Sequence, residues 1–336
     1  MARRDRTTGL PRRQHAERPL QAGPRVRLSE GVVRLGIIGT AASLLLLVIA
    51  IFAWQWYREN VAMPRATVLT VGDRKVSLAY FADRLPQFMV ANGNRDTGIA
   101  VQGLLGKLEE EELTILLARE LGLEPTDEEV TQSIAESLGV PVGGRGSSFD
   151  RLYRQDLRIT GFSDATYRRV AAARLANQRL LERYQEEVGT EGELLTLRVI
   201  AVDDEAKANE LKVRIEAGED MGSLAQREST DQASRQQDGL LDPQPLALLP
   251  EAVRQAVGEA APGTLVGPLA VNDSYWLVRL ERRERGTYTD VQRRDLAQQR
   301  LDEALAELRS RTVVRRELSS EETDWALRHL EFPSGS

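Results

Sequence analysis

The feature that most constrains this chain is a long uncharged segment near its start. Residues 35–57 are 23 consecutive residues without a charge, and leucine, valine and isoleucine dominate their centre. About 20 apolar residues in a helix suffice to cross the hydrocarbon core of a bilayer. Trp54, Trp56 and Tyr57 end the segment, and amphipathic rings of this kind favour the membrane–water boundary. We therefore predict a transmembrane helix over residues 35–57.

The charges that flank this segment predict its direction. Residues 1–34 contain nine arginines against Asp5, Glu17 and Glu30, a net charge of +6, whereas the whole chain carries −6. The positive-inside rule then leaves the N-terminus in the cytoplasm and the body outside it. The apolar run is longer than the about 7 to 15 residues of a cleaved signal peptide. We expect a retained, single-pass signal anchor in the cell membrane, preceded by a disordered basic tail over residues 1–34.

Composition excludes several classes of function. With +6 in the first 34 residues and −6 overall, the remaining residues carry −12, which argues against binding to a phosphate backbone. The absence of cysteine excludes disulfides, thiolate nucleophiles and cysteine-ligated metals. The two histidines have no neighbours that resemble a metal-ligand set or a catalytic triad. We expect no nucleic-acid partner, no metal and no cofactor.

The region after the anchor is typical of a helical module that opens with a hairpin. Residues 66–76 read as two short strands around the turn Gly72-Asp73, and Ser77 can cap a following helix. Thr126-Asp-Glu-Glu129 has the pattern of a capping box, which marks a further helix start. Helices are predicted at about 77–89, 98–121, from 126, 149–159 and 163–187.

The pattern changes at residue 194, where strands and helices alternate. Residues 194–202 are apolar enough for a buried strand, and the turn-prone Asn272-Asp273-Ser274 separates two more strands at 264–269 and 275–280. Helical segments are predicted at 204–217 and 221–227, and again at 290–309. An extended stretch at 312–315 follows, with no core of its own. The chain as a whole therefore has the α+β class.

Several stretches resemble the SurA/PrsA-type extracytoplasmic foldases. Val68-Leu-Thr-Val-Gly-Asp-Arg-Lys-Val-Ser77 is similar to their opening hairpin, and residues 105–130 are similar to their first pair of long helices. Glu205 to Asp231 and Pro262-Gly-Thr-Leu-Val-Gly-Pro-Leu269 resemble a parvulin, or PpiC-type, peptidylprolyl isomerase domain. These motifs occur in the same order as in the family.

The resemblance implies a domain order. After the tail (1–34) and the anchor (35–57), residues 58–190 form a mainly helical, SurA-N-like chaperone module. Residues 191–285 form an inserted parvulin domain, a small antiparallel sheet packed with helices. Residues 286–336, a C-terminal helix and tail, return to the first module and complete its core.

The resemblance also implies a peptide-binding site, and here the sequence departs from the family. Arg198 and Trp276 stand where the family has histidines, and Asp231 matches the position of a catalytic cysteine or aspartate. Leu249 and Val253 match the apolar residues that hold a proline ring. We therefore predict Arg198, Leu249, Val253 and Trp276 as substrate-binding residues and Asp231 as the candidate catalytic residue.

Three functions fit this pattern. Prolyl isomerisation lowers a rotational barrier of about 18 to 20 kcal/mol, and the family uses a hydrogen-bonded network around the twisting amide that an arginine, which stays charged, does not reproduce. The first function is a membrane-anchored extracytoplasmic folding factor that binds unfolded, newly secreted or proline-containing polypeptides with weak or lost isomerase activity. The second is an active isomerase with an atypical site. The third is a membrane-tethered scaffold for a secretion or envelope partner. The sequence leaves the isomerase activity open.

Overall fold

The computed structural model of the chain describes residues 30–93 and 96–330. Its contacts divide the chain into two compact units, 1–61 and 62–336. Residues 1–29, which hold most of the predicted basic tail, lie outside the described residues, as do residues 331–336 at the end of the predicted C-terminal tail. The two units are described separately below.

The first unit is dominated by one long helix. Helix α1 spans Glu30–Tyr57 and continues into a short π-helical turn, Arg58–Ala62. The large apolar side chains described in α1, from Leu44 to Tyr57, are exposed. The helix predicted at 35–57 is therefore present. No helix among the described residues is both long and apolar enough to cross a membrane, so the crossing itself is not confirmed.

The second unit opens with the predicted hairpin and a series of helices. A short helix, α2 (Met63–Arg65), leads into β1 (Thr67–Val71) and β2 (Arg74–Ser77), which pair antiparallel around Gly72. The helices are α3 (Leu78–Ala91), α4 (Thr97–Glu120), α5 (Asp127–Ser137), α6 (Ser148–Thr160) and α7 (Asp164–Val188).

Side chains that cap the helices set their starts. The Ser77 hydroxyl accepts a hydrogen bond from the backbone of Tyr80, and Thr126 and Glu129 form the predicted capping box. Hydrogen bonds from Arg179 and from Thr126 lower the pKa of Glu129 to about 2, so its carboxylate is charged in the box at neutral pH. These caps satisfy amides that have no partner inside a helix.

The mixed part of this unit is a four-stranded antiparallel sheet with helices on both faces. The strands are β3 (Glu191–Val202), β4 (Gln244–Pro245), β5 (Leu265–Val271) and β6 (Ser274–Thr287), in the order β4-β3-β6-β5. The helices are α8 (Glu205–Glu216), α9 (Met221–Glu228), α10 (Gln232–Arg235) and α11 (Glu251–Val257), with a 3-10 turn at Leu246–Leu248.

The two central strands are longer than the sequence predicts. β3 and β6 stay paired from Val202↔Tyr275 to Glu191↔Thr287, where Gly192 lies opposite Gly286. The predicted strands, 194–202 and 275–280, stop earlier because the added residues are mostly charged or glycine and carry no apolar alternation. Backbone pairing alone extends this part of the ribbon.

The chain then returns to the first helices. Helix α12 (Asp290–Arg311) precedes β7 (Val314–Arg316) and α13 (Ser320–Arg328). β7 pairs antiparallel with β1, which gives a small sheet in the order β2-β1-β7. The extended stretch predicted at 312–315 therefore overlaps a strand that pairs with β1.

One apolar core joins the early helices to the late ones. Buried side chains from the hairpin, α3, α4, α7, α12 and α13 form a single cluster; examples are Val68, Phe81, Leu104, Leu180, Leu301 and Trp325. A smaller cluster under α5 and α6 includes Val130 and Phe149. Residues after 290 thus complete a core that begins before residue 70.

Two buried carboxylates on α4 form ion pairs with both the early and the late elements of this core. Glu112, whose side chain is 3% exposed, accepts hydrogen bonds from Arg74 in β2 and Arg169 in α7. Glu109 is paired with Arg309 at 2.7 Å and Arg316 at 2.8 Å. A carboxylate is tolerated at such depth only when its charge and lone pairs are matched, as they are here.

Candidate functional site

The sheet of the mixed region separates two apolar clusters. Side chains alternate between the faces of a strand, so Leu197 and Val199 of β3 pack towards α11, and Ile200 and Val202 pack towards α8 and α9. In β6, Trp276 and Val278 face the α11 side. The position of a residue in β3 or β6 therefore determines on which face of the sheet its side chain lies.

The α11 face gathers three of the predicted substrate-binding residues. Leu249, Val253 and Trp276 belong to one apolar cluster, in which Trp276 is half-buried and its Nε1 donates to the Ser274 hydroxyl at 3.0 Å. Val253 is 0% exposed and Leu249 is 7% exposed. In this conformation Val253 packs beneath the surface of this face and exposes no area to a peptide. The binding role of these residues stays a prediction.

Arg198 lies on the opposite face of the sheet, with Ile200 and Val202. Its Nε donates to the Glu281 carboxylate at 2.8 Å, and its Nη1 donates to the backbone oxygen of Asp238. Alternation along β3 thus turns Arg198 away from the α11 face. The structure does not bring it together with Trp276.

Glu281 is the centre of this polar cluster. Thr196 pairs with Arg282 and Leu197 pairs with Leu280, so Glu281 is the extra residue of a β-bulge. The carboxylate also accepts from Arg279 Nε at 2.9 Å and Nη2 at 2.8 Å. Burial alone would raise the pKa of Glu281, but the hydrogen bonds from Arg198 and Arg279 outweigh it and hold the pKa below its ordinary value.

The loop at Asp238-Gly239 lies against the edge of β3 beside Arg198. Gly239 has φ +78°, and a Cβ there would stand 2.5 Å from the backbone oxygen of Val199 and 2.7 Å from the Ala225 Cβ. The Gly239 carbonyl accepts from the Val199 amide at 2.7 Å. Glycine is required here by both conformation and space. Arg198 ties this loop to the sheet through Asp238.

Asp231 stands at the start of α10, where it acts as a helix cap. Its carboxylate accepts from the Ser234 backbone at 3.2 Å and from the Ser234 hydroxyl. Its own backbone N–H donates to the Ser229 hydroxyl at 3.3 Å. These contacts are those of an N-cap, and a catalytic role for Asp231 stays a prediction.

Sequence reasoning missed Arg279, Glu281 and Asp238. The alternation Arg279-Leu280-Glu281 gives a weak signal, since it puts two charges on the same side of a strand, but the register that brings Glu281 beside Arg198 leaves no mark in the sequence. In the described part of the chain no group of three or more His, Asp or Glu side chains could hold a metal ion.

A large cleft opens where the mixed region meets the helices. Its volume is about 840 Å³, and it lies between α7, α12 and the segment around the 3-10 turn. Tyr184, Tyr288, Leu246 and Leu296 give it aromatic and apolar walls, and several glutamates line it. The sequence did not predict this cleft, because its walls come from segments more than 100 residues apart.

Comparisons with known proteins identify a family for part of the mixed region. Residues 201–282 match the family described as Rotamase, PPIC-type PPIASE domain. Foldase protein PrsA 1 of Listeria innocua is 47% identical over 49 residues, which are 15% of this chain and 17% of the relative. The match thus spans about a sixth of that relative.

Two crystal structures of PrsA match the chain at low identity. The protein from Bacillus anthracis is 15% identical, with 67% of this chain and 95% of that chain covered and a TM-score of 0.40. The protein from Bacillus cereus is 18% identical, with 80% and 99% covered and a TM-score of 0.40. These TM-scores are too low to define a common overall arrangement.

Residues 201–282 therefore form a domain of the parvulin, PpiC-type class. The predicted resemblance to SurA/PrsA-type foldases with such a domain is confirmed by this match together with the PrsA relative. Position 198 precedes the matched residues, so the correspondence of Arg198 to a family histidine stays a prediction. Trp276 lies inside them.

Proposed function

We propose that the chain is an extracytoplasmic folding factor whose parvulin domain binds unfolded polypeptides and isomerises prolyl bonds weakly or not at all. Its partners would be newly secreted chains and proline-containing segments; a role in folding agrees with the name of the PrsA relative, which is a foldase. The helical module and the parvulin domain would both contact the client.

The observation that carries this proposal is the engagement of Arg198. Its guanidinium donates to Glu281 and to the Asp238 carbonyl, and Arg279 neutralises the same carboxylate. A guanidinium stays protonated and has no acceptor nitrogen, so it cannot accept a proton or a hydrogen bond as a neutral imidazole does. These two bonds hold Arg198 on the Glu281 side of the sheet, whereas Trp276 lies on the other face, so the two side chains do not form one network around a twisting amide.

The accessible aromatic side chains on and beside the α11 face support peptide binding. Trp276 is half-buried beside the buried Leu249 and Val253, so its ring can cover a proline while the core beneath stays dry. The cleft lined by Tyr184 and Tyr288 adds aromatic surface next to the domain. Aromatic residues with a polar tip are typical of protein-binding surfaces.

We further propose that α1 anchors the chain in the cell membrane with the body outside the cytoplasm. The proposal rests on the uncharged run at 35–57, the arginines before it and the exposed apolar side chains of α1. A reporter fused to the C-terminus should be active only outside the cytoplasm. Activity only in the cytoplasm would contradict the anchor and its direction.

Two assays on the full chain test the proposed function together. We expect suppression of aggregation of an unfolded client, and a prolyl isomerisation rate about tenfold to hundredfold below that of a histidine-bearing parvulin, a difference of about 1.4 to 2.7 kcal/mol. Trp276→Ala should weaken the suppression. It is a better probe than Val253→Asp, which would bury a charge in the core and unfold the domain.

The outcomes separate the alternatives. A rate equal to that of the histidine-bearing parvulin supports the active isomerase with an atypical site. Neither isomerisation nor suppression of aggregation, in a folded protein, supports the membrane-tethered scaffold.

A further inference from the structure

The cleft of about 840 Å³ between α7, α12 and the 3-10 turn has charged walls as well as aromatic ones. The residues of α12 that line it, among them Gln299, Glu303 and Glu307, recur every three or four positions and so form one face of that helix. On α7, the lining residues Tyr184 and Glu187 have the same spacing. One face of each helix therefore contributes to the walls of this cleft.

Carboxylates outnumber cations in these walls. The lining contains four carboxylates and two guanidinium groups, which belong to Glu187, Glu193, Glu303, Glu307, Arg254 and Arg300. Its net charge is therefore −2. Three of these groups have ion-pair partners outside the lining, Arg183, Arg283 and Glu251, and these partners reduce the net charge to −1. The cleft is acidic by either count.

Glu307 differs from the other three glutamates of the lining. Each of the others pairs with an arginine, with N–O distances of 2.8, 2.7 and 3.6 Å. The Glu307 carboxylate makes no ion pair and no hydrogen bond within residues 30–93 and 96–330, and its side chain is exposed. Arg311, four residues later, is close enough to interact with Glu307 but is bound to Glu120 at 2.5 Å. Glu307 is thus an accessible negative charge that can receive a cation.

Tyr184 lies close to Glu307 and to Glu187. Its half-buried ring packs against the core of the helical module, and its exposed part lines the cleft. Burial raises the pKa of Tyr184, and the negative charges of Glu187 and Glu307 raise it further, although Arg183 opposes them. One carboxylate from each helix therefore lies near the same aromatic ring. A cation is attracted both to the face of such a ring and to the carboxylates beside it.

Apolar surface adjoins this acidic site. Tyr288 packs over Gly192 so closely that its hydroxyl leaves no room for a Cβ there. Leu246 and Tyr288 are half-buried, and Leu296 is a buried side chain of the same lining. A large apolar side chain of a ligand can therefore be covered next to a bound cation.

We propose that this cleft binds a segment of unfolded polypeptide in which an arginine lies next to a large apolar residue. The guanidinium stacks on Tyr184 and pairs with Glu307, and the apolar side chain packs on Leu246 and Tyr288. The inference rests on the proposed folding-factor function and deepens it, since it gives the chain a preference for basic clients that does not depend on proline.

Three labelled peptides of equal length, all without proline, test this proposal by fluorescence anisotropy with the full chain. They differ only in having arginine, its neutral analogue citrulline, or glutamate before a central leucine. We expect the arginine peptide to bind about tenfold more tightly than the citrulline peptide, because citrulline keeps the shape but loses the ion pair and most of the attraction to the ring. The glutamate peptide should bind more weakly still.

Glu307→Gln should weaken binding of the arginine peptide about fivefold and leave the citrulline peptide unchanged, since the variant and the peptide remove the same ion pair. Glu186→Gln is the matched control. Glu186 is exposed on α7 outside the lining of the cleft, so its loss tests the general acidity of the surface and should change neither affinity.

Three outcomes would contradict the cleft assignment while leaving the proposed function intact, because the chain still binds unfolded polypeptide in each. They are equal affinities for the three peptides, a preference for arginine that survives Glu307→Gln, and an equal loss of that preference in Glu186→Gln. If no peptide binds the folded wild-type chain, the cleft assignment and the proposed function are both wrong.

Discussion

The chain uses arginine–glutamate clusters in two regions, and the two clusters differ in depth and in what they join. In the helical module, Glu112 is 3% exposed and receives Arg74 and Arg169 from elements far apart in sequence. In the parvulin domain, Glu281 is 26% exposed and pairs with Arg198 of the adjacent strand and with Arg279 of its own strand. The first cluster holds a fold together, and the second occupies a place where the family resemblance implies catalytic polar groups.

This difference has a physical consequence. A carboxylate sealed in a core depends wholly on its partners, because water cannot replace them. A carboxylate at the surface of a sheet is partly hydrated and loses less when a partner is removed. We therefore expect the Glu112 cluster to govern stability and the Glu281 cluster to govern the shape of the domain around Arg198.

The largest effect is expected for Glu112→Gln. Loss of the charge leaves Arg169 without a counter-ion next to the core and Arg74 with only Glu124, at 3.7 Å. The free energy of unfolding of the helical module should fall by about 3 kcal/mol. Chemical denaturation of the full chain measures this. Glu110→Gln is the control on the same helix: Glu110 is 59% exposed, and its removal should change stability by less than about 0.5 kcal/mol.

Glu281→Gln should have an intermediate effect. It removes the charge that Arg198 and Arg279 share, and the domain should lose about 1.5 kcal/mol. Glu193→Gln removes a more exposed pair, with Glu193 48% exposed, and serves as the control. Equal losses in Glu281→Gln and Glu193→Gln would mean that the Arg198 cluster is an ordinary surface pair.

The pH dependence of the same pair of proteins sharpens this test. The pKa of Glu281 is below its ordinary value of 4.5 in the folded chain, so its contribution is full above that value and is lost as the pH falls through the folded pKa. The stability difference between wild type and Glu281→Gln should be constant from pH 7 to about pH 5 and shrink below about pH 4.5. A difference that grows on acidification would contradict the assignment.

The smallest effect concerns Thr196, the β3 residue beside the bulge at Glu281. The Thr196 hydroxyl is buried and, within the described residues, has no hydrogen-bond partner. Thr196→Val keeps the shape and removes the unsatisfied group, so the domain should gain about 0.5 to 1 kcal/mol. Thermal melting measures the gain. A loss of stability would show that the hydroxyl is satisfied in solution and would weaken the description of the bulge.

The sequence predicted the elements whose signals are local. The hairpin around Gly72, the capping box Thr126–Glu129 and the α+β class are all present. Strand β7 was predicted only as an extended stretch, because its partner β1 lies more than 200 residues earlier. Helix α13 is not separated from the C-terminal tail in the sequence-based prediction, since its core contacts through Trp325 and Ala326 are equally non-local.

The site was predicted less completely than the fold. The apolar grouping of Leu249, Val253 and Trp276 followed from the resemblance, and the three do share a cluster. The sequence could not show that Arg198 faces away from them, because that depends on strand register. Nor could it show that Glu281 reaches Arg198, because that contact depends on which residues of β3 and β6 lie side by side.

The most direct test of the central claim is the rate of cis–trans exchange of a prolyl peptide, measured by NMR with the full chain. The proposed function predicts that wild type binds the peptide and accelerates exchange weakly, and that Asp231→Ala, which removes a helix cap, leaves this weak rate unchanged in a folded protein. Fast exchange in wild type that Asp231→Ala abolishes without unfolding would contradict it and would make Asp231 the catalytic residue of an active isomerase.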